Sequence, residues 1–371
     1  MKQAATFIDT VSGQQFSLSD RIWRAPNGNP LMISDLPGIL RAEIHPSNRS
    51  IWRYANSLPV QIQNPISLGE GCTPLIRSKI DGINFHFKLE WFSPTGSFKD
   101  RGASVLMSFL KQQGIGVVVE DSSGNAGAAI AAYGAAAGMD ITILVPSCTQ
   151  PAKVVQSRAY GAEVILVPGA REDTAAAAIE RAEKTFYASH NWHPMFLQGT
   201  KSLGYEIWED LGFAVPDNIV IPASEGSNVL GCHIAFSELM RSGEIDRMPR
   251  LFVSQPENSA PLHHALRGTQ QEQFLPTIAE GTAVKSPTRL HAIVQAVRET
   301  NGGSVTVSEE GIASACKRLA RAGIFTEPSS AHAWAGTKAL IENGEIDPTD
   351  RTVILLTGSG LKSQSVYAEN V

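Results

Sequence analysis

The chain has 371 residues, 43% of them hydrophobic and 18% charged, and a formal net charge of −5. That length exceeds what one hydrophobic core usually serves, so two domains are expected, and a mild negative charge with dispersed basic residues argues against nucleic-acid or anionic-membrane partners. No run of about 18 apolar residues occurs and the N-terminal "MKQAATFIDTVSGQQ" lacks the hydrophobic stretch of a signal peptide, so a cytoplasmic protein working on small molecules is expected.

The first 65 residues show weak periodicity, several prolines and two glycine-centred turns, "SGQQF" and "NGNPL", which read as β-hairpins of a β-rich appendage spanning 1–65. The four cysteines, Cys72, Cys148, Cys232 and Cys316, lie far apart with no C-x-x-C, so neither a disulfide framework nor a metal site is expected; they read as buried small hydrophobes. "ISLGEGCTPL", residues 66–75, reads as a loop followed by a strand.

The stretch "KLEWFSPTGSFKDRG", residues 88–102, sets Lys99 just beyond a turn and at the start of an apolar-periodic run. The positive end of a helix dipole and the neighbouring Arg101 favour the neutral amine that attacks a carbonyl, which makes Lys99 a candidate Schiff-base lysine. The alternative is an ordinary helix entrance with Ser97 as its cap and Lys99 solvated. "PTGSFKDRG" resembles the lysine motif of the fold-type-II pyridoxal-phosphate enzymes, the threonine synthase group in particular. The resemblance implies that Lys99 holds pyridoxal 5'-phosphate covalently. "GEGCTPL" stands where that family has a G-x-T-P-L string. "DTVSGQQF … WRAPNGNPL" is similar to the zinc ribbon of many threonine synthases, with Asp9, Ser12, Ala25 and Asn27 where cysteines would stand. This implies a degenerate ribbon without its metal; an unrelated N-terminal arm is the alternative.

From about residue 103 helical and β-branched segments alternate: a helix, strand "GVVVED", helix "NAGAAIAAYGAAAG", strand "DITILVP", a helix near "AKVVQSRAY", strand "AEVILVP" and an alanine-rich helix from Arg171 to Thr185. This alternation predicts a parallel sheet with covering helices, whose ligands sit outside the carboxyl ends of the strands. "DSSGNAG" falls at such an end. Small residues there let backbone approach a ligand, and Ser122, Ser123 and Asn125 offer polar groups beside helix N–H donors suited to a carboxylate. A plain helix cap is the alternative. The family's equivalent loop grips the substrate α-carboxylate while its Asn touches the cofactor's ring hydroxyl; the resemblance carries these roles to Ser122, Ser123, Gly124, Asn125 and Ala126.

The pattern recurs at "NIVIPASEGSNVLGCHIAFSELM", where Ser224, Glu225, Gly226, Ser227 and Asn228 form a candidate phosphate cradle at a helix start. The family has a glycine-rich loop here, and this chain departs from it: Glu225 must turn away for a phosphate to bind. The strand "VILLT" ends at Thr357, where the family's hydroxyl residue bonds the cofactor's pyridine nitrogen. "TEPSSA" makes Glu327 a weaker candidate acid, or else a helix cap. His190, His193, His263 and His264 read as surface or substrate-pocket residues.

The resemblance spans residues 66–362 and implies an α/β fold: two doubly wound domains, the large one comprising 66–104 and 206–371, the small one inserted at 105–205, assembled as a homodimer. It implies an amino-acid substrate and a lyase or replacement reaction by β/γ-elimination. In "SHNWHPMFLQGTKSL" Phe196 stands where threonine synthases have a phosphate-binding arginine. That substitution points to a different amino-acid substrate. True threonine synthase, with Phe196 merely core and Lys153 or Arg158 binding the phosphate, is one alternative. A catalytically silent binding subunit is the other.

Overall fold

The computed structural model describes residues 5–370. In chain order the strands β1 (Thr6–Asp9), β2 (Gln15–Ser17), β3 (Leu31–Ile33), β4 (Leu75–Ile80) and β5 (Ile83–Leu89) precede helix α1 (Lys99–Gln112). Then come β6 (Val117–Glu120), α2 (Asn125–Ala137), β7 (Asp140–Pro146), α3 (Pro151–Ala159), β8 (Glu163–Val167), α4 (Arg171–Arg181), β9 (Phe186–Tyr187), α5 (Pro194–Thr200) and α6 (Ser202–Asp210). The remainder comprises β10 (Asn218–Pro222), α7 (Ser227–Ser242), β11 (Arg250–Pro256), α8 (Pro261–Leu266), α9 (Leu290–Glu299), β12 (Gly303–Val307), α10 (Glu309–Arg321), α11 (Pro328–Glu342) and β13 (Thr352–Leu356), with a short helix after it. Among the described residues no helix is long and apolar enough to cross a membrane.

The chain forms two compact units, one of the residues up to Glu70 together with Lys99–Ser202, the other of Gly71–Phe98 and the residues from Leu203 onward. In the first unit β8, β7, β6 and β9 lie side by side in that order, all parallel. β6 and β7, joined through α2, and β7 and β8, joined through α3, therefore follow the βαβ logic read from the sequence. The segment expected to stand apart as an appendage instead shares this unit's core: Phe7, Leu31 and Trp52 pack in one cluster with Leu106, Phe109 and Phe196. Phe7 meets Phe109 edge-on at 6.3 Å between ring centroids. "SGQQF" does close a hairpin, β1 against β2. "NGNPL" does not; its turn delivers β3 onto the other edge of β1, which completes a three-stranded sheet.

The two turns meet at Asp9. Its buried carboxylate accepts the N–H of Val11 at 2.9 Å, Ser12 Oγ at 2.6 Å, Asn27 Nδ2 at 2.7 Å and Asn29 Nδ2 at 3.1 Å. These donors, the Ser12 hydroxyl foremost, hold the Asp9 carboxyl well below the usual carboxylate range.

The second unit carries a six-stranded sheet in the order β12-β11-β10-β13-β5-β4, parallel except for β4 at its edge. β4 and β5 are joined through Asp81 and Gly82, both at positive φ (52° and 86°), the two-residue turn whose twist suits a hairpin. β10 and β13 are buried along their whole length, as strands covered by helices on both faces must be. Between β11 and β12 the chain forms α8 and α9. Neither has a side-chain N-cap to announce it, and α8 is only six residues long.

Candidate active site

In the first unit Lys99 opens α1. Three residues on, Gly102 lies on the same helix face, and a Cβ there would strike the ring of Phe196. The missing side chain lets α5 lie against α1, so that Phe196 comes up beside Lys99, with Nζ 5.6 Å from the ring centroid. Arg101, expected to press its charge on Lys99, is fully buried and gives a hydrogen bond to Ser202 Oγ at 3.1 Å. The Ser97 hydroxyl is buried without a hydrogen-bond partner, so it does not cap α1.

β6 ends at Glu120, and after four residues α2 begins at Asn125 with no side chain capping it. Gly127, in the first turn of α2, has no room for a Cβ because the Ser122 carbonyl fills that place; the loop thus folds tightly over the helix start. Ser122 and Ala126 are buried, Ser123 and Asn125 are half-buried and Gly124 is exposed. An uncapped helix start with accessible small polar residues suits a carboxylate.

The sequence reading did not single out Glu120, and it placed His190 and His193 among surface or pocket residues. Both histidines are buried. His193 sits at the N-cap of α5 and its Nδ1 accepts the N–H of Met195 at 3.2 Å. His190 Nδ1 lies 2.6 Å from Glu120 Oε1, and its backbone N–H reaches the other carboxyl oxygen at 3.3 Å. Burial pushes the Glu120 carboxyl well above the usual range, with Asp121 adding to the push. Burial, then the positive charges of Lys99 and Arg171, push His190 well below its own. At 2.6 Å the contact has the geometry of an ion pair, but both shifts disfavour charge, so the pair is a neutral hydrogen bond. Beside it Asp121 Oδ1 is buried and unpartnered.

In the second unit β10 and β13 are parallel neighbours, with Asn218 opposite Thr352 and Val220 opposite Ile354. The loop at 224–228 and Thr357 consequently leave the sheet at the same edge. Gly226 adopts φ +68° at the N-cap of α7 and no side chain caps that helix. Both amide atoms of Asn228 are buried without a partner. Glu225 accepts the N–H of Thr288 at 2.9 Å and lowers the cost of the buried Arg289 charge, so its carboxylate is engaged with that segment.

Thr357 is held by a residue the sequence reading missed. Ser330 Oγ accepts the N–H groups of Thr357 at 2.9 Å and Gly358 at 3.1 Å and lies 2.8 Å from Thr357 Oγ1. Two N–H groups use both lone pairs of the serine hydroxyl, so its own proton goes to Thr357 and leaves the threonine proton to donate elsewhere. Glu327 occupies the N-cap of α11 without capping it by its side chain; its carboxyl lies against Gly358. Phe98, the residue before Lys99, donates its N–H to the Thr357 carbonyl at 3.0 Å, and Ser97 bridges to Gly358. The end of β13 thereby holds Ser97 and Phe98 within the second unit. His263 and His264 bond to Ser304 and Thr269. Cys232 and Cys316 are buried and take part in no disulfide, whereas Cys148, in the loop after β7, is exposed.

Residues 66–358 match the family described as pyridoxal-phosphate dependent enzyme. The chain is similar to the threonine synthase of Methanosarcina acetivorans, 34% identical over 327 residues that cover 84% of this chain and 80% of the relative. It is also similar to that of Methanocaldococcus jannaschii, 36% identical over 326 residues with the same coverage of 84% and 80%. Among solved structures, the processed form of threonine deaminase isoform 2 from Solanum lycopersicum shares the fold at a TM-score of 0.70, with 24% identity over 81% of this chain and 83% of that one. The family match takes in the lysine motif, both helix-start loops and the end of β13, and with relatives above 30% identity along most of the chain, the protein belongs to the pyridoxal-phosphate-dependent enzymes, uses pyridoxal phosphate as its cofactor and resembles the threonine synthases among them.

Proposed function

We propose that this enzyme performs β- or γ-elimination or replacement on a small amino acid other than O-phosphohomoserine. The observation that carries the reading is Phe196: wholly buried, with its ring against the Lys99 amine and 5.8 Å from the His190 ring. An arginine fork at that place would give a phosphate two charge-assisted hydrogen bonds, and its loss costs on the order of 2–4 kcal/mol. Phenylalanine supplies none.

The residues present fit the cofactor. The uncapped start of α7 and the unpartnered Asn228 amide suit its phosphate, with Ser224, Gly226 and Ser227 lining the turn and Glu225 drawn off to Thr288. The spare Thr357 proton suits its ring nitrogen, and Lys99 supplies the amine that would hold it. When bound, the cofactor draws electron density from the substrate Cα and makes that C–H acidic. Ser123, Gly124 and Asn125 would seat the substrate carboxylate, with Ser122 and Ala126 holding the turn. The Lys99 amine, with the apolar face of Phe196 beside it, would take the Cα proton. A hydroxyl at 357 does not force protonation of the ring nitrogen as a carboxylate would, which suits loss of a leaving group.

The second reading is threonine synthase itself, favoured by the names of the relatives. It needs another cation for the phosphate: Lys153 lies exposed at the start of α3, at the carboxyl edge of the first unit's sheet, whereas Arg158 lies in the last turn of that helix. A steady-state assay with O-phosphohomoserine decides between them. The expected kcat/KM is far below about 10⁴ M⁻¹s⁻¹, and a value at or above that level establishes the second reading.

A further inference from the structure

A carboxyl group fixed on one ring nitrogen of a histidine, with the other nitrogen unengaged, is the arrangement that readies an imidazole for proton transfer. Glu120 and His190 have it. The carboxyl holds both the ring, at 2.6 Å, and the backbone N–H of the same residue, at 3.3 Å, so the imidazole cannot swing away. Nε2 makes no hydrogen bond among the described residues. The imidazole lies 5.8 Å from Phe196 on a tilted edge contact, and the Lys99 amine flanks that same phenylalanine at 5.6 Å. Glu120 immediately precedes the turn suited to the substrate carboxylate.

From these placements we infer that His190, oriented by Glu120, is the general acid that protonates a departing hydroxyl, so that the substrates are β-hydroxy amino acids. The inference rests on the elimination reading above and deepens it by naming the leaving group. A phosphate departs as an anion and needs a fixed cation, which Phe196 does not supply. Hydroxide is a poor leaving group and needs a proton. The charged and titratable groups facing the pair are Lys99 on α1, Arg171 at the start of α4, Asp121 beside Glu120, and the Tyr187 hydroxyl on β9. Asp121 Oδ1, buried and unmet, is an acceptor that a substrate hydroxyl satisfies.

The step balances as follows. Lys99 takes the Cα proton, the Cα–H electron pair becomes the Cα–Cβ double bond, and the Cβ–O bond breaks with its pair on oxygen. The oxygen takes the Nε2 proton and leaves as water, while Nδ1 takes the Glu120 proton. The carboxylate so formed regains its proton from solvent after the product departs.

The experiment uses the cofactor-loaded enzyme with L-serine, L-threonine and β-chloro-L-alanine, whose chloride leaves without a proton, and reads 2-oxo acid formation. Glu120→Gln and His190→Asn are expected to lower kcat for the hydroxy amino acids by about 10²- to 10⁴-fold with little change in KM, while β-chloroalanine turnover changes by less than about threefold. In cofactor-free protein, ¹⁵N NMR of labelled histidines is expected to show His190 neutral, with its proton on Nε2, at neutral pH. Equal losses on all three substrates, undiminished turnover of the hydroxy amino acids, or a proton on Nδ1 of a neutral ring each overturns the inference. A wild-type enzyme that eliminates from β-chloroalanine but not from hydroxy amino acids overturns it and leaves the proposed function standing. One inert toward every amino acid brings down both.

Discussion

Each unit buries a cluster of ionisable side chains, and the two clusters differ in how completely their hydrogen bonds are used. In the second unit Lys88 is wholly buried on β5, and its three ammonium protons go to the Thr73 carbonyl at 2.7 Å, Glu206 at 2.7 Å and Asp210 at 2.6 Å. Glu206 also takes the N–H groups of Cys72 and Thr73, each at 2.8 Å, and the Thr73 hydroxyl goes to Glu90 at 2.6 Å. Every ammonium proton is accounted for. In the first unit the Glu120–His190 pair leaves Nε2 unengaged and Asp121 Oδ1 unmet. Burial and charge are common to both; spare donor and acceptor capacity belongs to one. The saturated cluster explains the "GCTPL" string as scaffold: it anchors the chain at Cys72, which sits at φ 48°, a value uncommon for a residue with a side chain.

Lys99, the candidate cofactor amine, and Lys88, at the centre of the saturated cluster, are expected to respond oppositely to truncation. Lys99→Ala is expected to abolish turnover and covalent cofactor attachment with the melting temperature within about 2 °C of wild type, since a residue at a helix entrance contributes little packing. Mass spectrometry after borohydride reduction checks this, and a cofactor-sized adduct on another lysine sinks the assignment. Lys88→Met leaves Glu206 as an uncompensated buried charge and is expected to cost about 3–5 kcal/mol in urea unfolding, while Lys99 in the folded fraction still takes the adduct. A loss below about 1 kcal/mol would contradict the saturated reading.

Ser330→Ala tests an intermediate case, because it strands two N–H groups and frees the Thr357 hydroxyl to rotate. An expected stability loss of about 1–3 kcal/mol should come with weaker cofactor retention on dialysis. Loss of stability with retention unchanged would separate Ser330 from cofactor binding. The smallest effect concerns Asp9, whose carboxyl is held below its usual range. A group with a depressed pKa stabilises the fold above its unfolded value near 4 and loses that contribution as pH falls. Asp9→Asn should therefore melt below wild type at pH 7, with the gap closing as pH drops below about 4. A gap independent of pH would count against the hydrogen-bonded carboxylate. Chelators should leave both proteins' melting temperatures unchanged, and metal analysis should find no stoichiometric zinc.

Much of the alternating α/β pattern was legible because parallel strands such as "VVVE" and "TVILL" are uniformly apolar and the helices between them are periodic. The lysine motif was legible because its turn and helix start lie within fifteen residues. What stayed hidden depends on long-range contacts. Ser330 matters only because β13 ends beside α11, twenty-seven residues on, and no local pattern distinguishes it from an ordinary residue of a helix's first turn. Glu120 and His190 are seventy residues apart and meet because β6 and β9 pair in parallel. The N-terminal segment misled for a related reason. Its apolar residues are sparse, yet Phe7 and Trp52 are buried against α1, where Trp52 Nε1 also reaches Ser104 at 3.0 Å.

The contact between Gly102 and Phe196 bears on how the chain can vary as well as on packing. A lineage changes by single substitutions, and these two positions limit each other's options. An arginine placed at 196 would put a guanidinium where a ring fills the space over Gly102, and any larger residue at 102 would displace that ring. A change at either site alone passes through a poorly packed intermediate, so the glycine and the aromatic ring constrain each other's replacement and tend to be kept together.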